Sequence, residues 1–150
     1  MTERDGHGSG IVSEKGQTQR TDAGRPGQRP AVDHNALLGL AERYVAEGGP
    51  REIQLACWLG RQALQMLIDG FLRHVAPDAR AGSARSRLAV LTVAFAGTTL
   101  PRASRAAWEN LSEASHRHAY QLSPTPSEVR GRLADVRGLS DQHRLITNPG

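Results

Sequence analysis

Pro50–His74, PREIQLACWLGRQALQMLIDGFLRH, is the stretch that decides the fold. Pro50 suits the first position of a helix, where a missing N–H costs nothing. Ile53, Cys57, Leu64, Leu67 and Phe71 recur on one helical face, and Leu55, Leu59 and Met66 on a neighbouring one. Polar residues keep only a narrow strip: Gln62, Gln65, Asp69 and Arg73. A helix apolar over most of its circumference has to be buried among several partners. The segment is therefore the predicted centre of an all-α protein.

Upstream, Asp33 is a good N-cap for a helix from Asn35 to Glu47, with the stripe Leu37, Leu40, Ala41, Tyr44 and Val45 facing inward and Gly48-Gly49 ending it. Downstream of Pro77, the small and basic stretch APDARAGSARS reads as a loop. A third helix is predicted over Ser86–Ala96, with Leu88, Leu91 and Phe95 inward, and Gly97 stops it. The fourth is predicted over Pro101–Leu122, with Trp108, Leu111, Ser115, Ala119 and Leu122 as its spine. The chain then breaks at Ser123-Pro124 and restarts behind Thr125-Pro126-Ser127-Glu128. In that capping box the Thr hydroxyl takes the third helical N–H and the Glu carboxylate reaches back to the cap's own N–H. The fifth helix is predicted over Pro126–Leu139, with Val129, Leu133, Val136 and Leu139 inward. No segment alternates with period two and no internal repeat is present. Helices joined by short connections make an up-and-down bundle of about five.

The 150 residues allow one domain. Residues 1–32 scatter a few apolar side chains among Gly, Gln, Arg, Thr and Pro and cannot offset the entropy of ordering, so they read as a disordered tail. The bundle is expected over residues 33–140, with a frayed tail over 141–150. The formal charge is +4, the sequence pI is about 10.2, and Lys15 is the lone lysine among the basic residues. Arginine suits bidentate recognition of phosphate or carboxylate; a GC-rich coding bias produces the same composition. With Cys57 alone no intrachain disulfide forms, and neither a signal peptide nor a transmembrane run is evident. A cytoplasmic protein is the expectation.

Two stretches, LAERYVAEGGPREIQLACWLGRQALQMLIDGFLR and HAYQLSPTPSEVRGRLADVRGL, resemble the HEPN superfamily of small helical bundles from toxin–antitoxin and defence systems. The first is similar to that family's opening hairpin. The second is similar to its terminal histidine, small residue, tyrosine, loop and closing helix. The resemblance implies an association with RNA or with a protein partner such as an antitoxin, a homodimer, and an arginine followed after four to six residues by a catalytic histidine. Matching His118 to that histidine asks for arginine where Leu111, Ser112 and Glu113 stand; matching His116 asks for it where Glu109, Asn110 and Leu111 stand. Arg29–His34 and Arg137–His143 do have the spacing. With eighteen arginines and six histidines, about two such matches arise from composition alone, so neither is taken as the site.

His118 and His116 are thus the candidate catalytic residues. They lie about 200° apart on a helix and cannot share a metal, so no metal and no cofactor is expected. Ser112 and His116, four apart, have the spacing of a nucleophile–base pair, but a mid-helix serine more often bonds its own backbone. Stacked up and down, the helices would gather Arg73, Arg80, Arg85 and Arg87 at one pole with His116, Arg117 and His118, and Tyr120 would be the one aromatic well placed beside them. Such a pole suits an RNA backbone. The resulting expectation is an RNA-associated or protein-interaction module that lacks the full ribonuclease motif. Its alternatives are a divergent metal-independent ribonuclease toxin and a purely structural partner-binding bundle. Limited proteolysis should trim the chain to a resistant fragment starting near Asp33; protection of Arg20 or Arg25 from trypsin would contradict the predicted tail.

Overall fold

α1 (His34–Glu47) opens behind Asp33, whose carboxylate accepts the Ala36 N–H at 2.7 Å, and closes at Gly48, which turns the chain with φ 76°. The computed structural model describes residues 32–79, 82–116 and 122–150, all in the unit Ala31–Gly150. The other elements are α2 (Pro50–Val75), α3 (Ala84–Ala94), α4 (Leu100–Ser115) and α5 (Pro126–Thr147), with no strand among the described residues. The described residues form an all-α bundle of five helices. No described helix is long and apolar enough to cross a membrane.

α2 is the centre and touches each of the other four helices. The apolar face foreseen for it is buried throughout, from Ile53 and Cys57 to Leu64, Leu67 and Phe71. α1 folds back along α2 through the Gly48-Gly49 turn. Its buried face is Leu38, Ala41 and Val45, one position round from the predicted stripe, so Leu37, Leu40 and Tyr44 flank the core. α5 buries Val129, Leu133, Val136 and Leu139 as expected. Its capping box is complete: the Glu128 N–H donates to the Thr125 hydroxyl at 3.2 Å and the Thr125 N–H donates to Glu128 Oε2 at 2.6 Å.

Helix directions follow from what meets what. His34 meets Ser140 and Glu42 meets Arg137, so α1 and α5 are antiparallel. Leu133 lies over Gly60 and His143 over Gly70, so α2 and α5 run the same way in register. Leu111 lies near Gly60, while Ser115 sits with Arg51, Gln54, Leu55 and Trp58, so α4 descends toward the start of α2. α3 is short. Arg87 near its start pairs with Asp69, and Phe95 at its end meets Phe71, so both ends of α3 touch the same C-terminal part of α2. α3 crosses the end of the bundle, and α1, α2, α4 and α5 alternate in direction.

Two helix ends differ by more than two residues from the sequence expectation. α4 stops at Ser115 with His116 as its cap, and Leu122, assigned to its spine, is 88% exposed and non-helical; Ala119 lies outside the described residues. α5 does not fray after residue 140 but continues to Thr147. The reason is tertiary: His143 seats against Gly70 and Phe71, and Ile146 packs on the core.

Glycine substitutions separate packing from propensity. A Cβ at Gly39 meets nothing within 4 Å, so Gly39→Ala should raise stability by about 0.5–1 kcal/mol through helix propensity. A Cβ at Gly60 would stand 2.6 Å from Leu133 Cδ2 and 3.4 Å from Leu111. Overpacking of about 1–3 kcal/mol should there outweigh the propensity gain and leave Gly60→Ala less stable than wild type. Urea unfolding midpoints should move in opposite directions.

Candidate functional site

The end of α4, where the sequence places its chemistry, binds inward to α2. His116 Nε2 lies 3.0 Å from Arg61 Nη1, and the Arg61 guanidinium sits 5.5 Å over the Trp108 ring. The Ser112 hydroxyl is buried and has no partner among the described residues, while Ser115 donates to the Leu111 carbonyl at 2.7 Å. Ser112 and His116 therefore form no nucleophile–base pair. His118, Arg117, Tyr120 and Arg80 lie outside the described residues.

The single basic pole is corrected by the path of α3. Arg73 and Arg87 line a recess of about 210 Å³ with Asp69, Leu72 and Pro77 at the C-terminal end of α2, and Arg85 is exposed at the start of α3 nearby. Arg87 Nε is 3.2 Å from Asp69 Oδ1, so part of that charge is neutralised. His116 meets α2 at Arg61, twelve residues earlier, about 18 Å along the helix axis. Because α3 crosses one end instead of returning along the bundle, α4 begins where α2 ends and finishes near the start of α2.

The cluster richest in chemistry lies between the start of α1 and the last turns of α5. His34, Asn35, Arg137, Ser140, His143 and Arg144 line a cleft of about 390 Å³ together with Asp141 and Thr147. The His143 ring is held by shape. It lies where a Gly70 side chain would be, with its Nε2 2.6 Å from the position of a Cβ there, and meets Phe71 edge to face at 5.0 Å. A ring nitrogen of His143 donates to the Gly70 carbonyl. The His34 ring stands edge to face with His143 at 5.8 Å between centroids.

A chain of hydrogen bonds fixes the orientation of His34. Arg137 Nη2 is held by Glu42 at 2.7 Å and its Nη1 donates to Asn35 Oδ1 at 3.4 Å. A guanidinium only donates, so the amide oxygen of Asn35 faces it. The Ser140 hydroxyl donates to that same oxygen at 3.1 Å. Its single proton spent, Ser140 must accept from His34 Nε2, 3.0 Å away. Neutral His34 is thereby set as the Nε2–H tautomer, and its Nδ1 carries the lone pair.

Burial lowers the pKa of His34 below 6.5; Asp33 opposes this and Arg137 adds to it. Burial also lowers that of His143, helped by His34, Arg73 and His74 and opposed by the bond to Gly70. With both imidazoles neutral, Arg137 balances Glu42 and Arg144 balances Asp141 at 2.8 Å. Each proton taken up gives the cleft a net positive charge. Among the described residues no three His, Cys, Asp or Glu side chains gather as metal ligands.

No protein family, curated protein or solved structure matches the chain. The geometry alone identifies the cleft. The sequence did carry one signal for it, the Arg137–His143 spacing, which composition makes easy to dismiss. Nothing local could have added His34, because it and Ser140 are 106 positions apart.

The histidines make stability depend on pH. Their native pKa values are lowered, so the stability they contribute is fully present above pH 6.5 and is lost as pH falls through the lowered native values. Melting temperature should fall between pH 7 and pH 5, and less steeply in His143→Gln than in wild type.

Proposed function

We propose that the protein is an RNA-associated bundle that cleaves phosphodiester bonds at the α1/α5 cleft, with Arg137 and His143 as its arginine–histidine pair; they have the spacing of the HEPN motif but lie in the closing helix and not at the histidine that the resemblance matches. One observation carries the reading: an arginine, two imidazoles and a serine converge in one cleft from opposite ends of the folded chain. Arg137 can turn one edge of its guanidinium to a phosphate oxygen, and Arg144 stands beside it. His143, its one nitrogen tied to Gly70, offers the other as an acid or base. Its lowered pKa keeps it largely neutral near pH 7, as a base must be.

Incubation of the full chain with labelled RNA in EDTA tests this. Wild type should cut between pH 5 and 7. His143→Gln should lower the rate by about a hundredfold or more, the usual contribution of a general acid or base. Arg137→Ala should weaken RNA binding and flatten its salt dependence, because a lost phosphate contact releases fewer counterions. Intact RNA with wild type, or unchanged cutting in His143→Gln, would reject the reading.

A further inference from the structure

We infer that His34 is the second proton-transfer residue of this cleft, giving its proton to the leaving oxygen while His143 takes the proton of the attacking hydroxyl, so that one chain holds a complete acid–base pair. The inference rests on the phosphodiesterase reading above and extends it to a residue of α1, outside the arginine–histidine spacing. His34 is not a loose surface side chain. Its Nε2 is bonded to Ser140, and Ser140 is anchored through Asn35 to Arg137, the residue assigned to the phosphate. One ring nitrogen is thus fixed by the protein and Nδ1 is left for substrate.

When His34 gains a proton it takes it at Nδ1, since Nε2 already carries one. The cation then has a donor ready at a nitrogen no protein group occupies among the described contacts. Charges around the two rings favour this division. Burial lowers the pKa of His34 most, while Asp33 beside it supports the protonated form against Arg137 on α5. Burial, His34 on α1, and Arg73 and His74 on α2 oppose protonation of His143, against the Gly70 carbonyl, which supports it. Of the remaining charges, Glu42 pairs with Arg137 across the seam and Asp141 with Arg144 within α5.

The step balances without an added reagent. A ribose 2′-hydroxyl loses its proton to neutral His143 as O2′ bonds to phosphorus. The bond from phosphorus to O5′ breaks, and O5′ takes the proton from His34. The products are a 2′,3′-cyclic phosphate and a free 5′-hydroxyl, with His143 protonated and His34 neutral; solvent exchange resets the pair. A substrate without a 2′-hydroxyl has no nucleophile, so DNA is not cut. Ser140 and Asn35 are positioning residues.

The test is the pH–rate profile of the full chain on a defined RNA oligonucleotide, beside binding of its all-2′-deoxy analogue. Wild type should give a bell with its maximum below pH 6.5, because both groups titrate below their ordinary value. His34→Gln should lower kcat by about a hundredfold and abolish the limb that falls at high pH, with the analogue bound as before above pH 7, where His34 is neutral. Ser140→Ala keeps the imidazole but frees it, and should shift that limb with a smaller loss of kcat; it answers the question if His34→Gln does not fold. RNA cleavage that keeps its rate and both limbs in His34→Gln, or its wild-type profile in Ser140→Ala, overturns the role of His34 and leaves His143 and the phosphodiesterase reading standing. Absence of cleavage by wild type overturns both.

Discussion

The close approach of α5 to α2 is the constraint on which the rest of the structure depends. Gly60 and Gly70 are ten residues apart on α2, and the side chains that take their vacant Cβ space, Leu133 and His143, are ten apart on α5. Two helices running the same way keep such a match over nearly three turns. At Gly60 the space is filled by a leucine that closes the core with Leu111. At Gly70 the same device draws a polar ring against apolar neighbours. A missing side chain thus sets both the helix spacing and the environment of the one imidazole that is tied to the backbone of α2.

What α5 gains at the core it has to satisfy at the surface. Its other edge faces α1 with Arg137 and Ser140, and α1 answers with Glu42, Asn35 and His34. Ser140 is 6% exposed, so its hydroxyl needs partners and finds two. Exposed ion pairs such as Arg137–Glu42 are worth little in stability, at most about 1 kcal/mol. Their value here is orientational: the pair holds the guanidinium that holds Asn35, and the tautomer of His34 follows.

Much of the fold was legible because it is written in local terms. The apolar circumference of α2, the Asp33 cap, the Gly48 stop and the Thr125–Glu128 capping box each act within a few residues, and each is where the sequence puts it. The errors arise where tertiary contacts decide. α5 is continued past residue 140 by a seat on another helix, and no propensity within 141–147 announces it. α3 was legible as a helix but not as a crossing one, and that one difference moved His116 away from Arg73 and Arg87. For the site, Arg137 and His143 could be seen as a pair in the sequence but not distinguished from accident. Their proposed role rests on the cleft they share and on Gly70, which reads as a helix flaw until His143 is found in its place.

The cleft joins stability and binding through the same protons. Because the native fold holds both imidazoles with lowered pKa values, acid works against the fold. The same protons turn a cleft of balanced ion pairs into a cationic one, which attracts a phosphate. A bound anion pulls in the opposite direction: by favouring the protonated rings it raises their pKa values and stabilises the state it binds. On the proposed function, the cost that burial places on protonating His34 and His143 would be offset by a phosphodiester in the cleft.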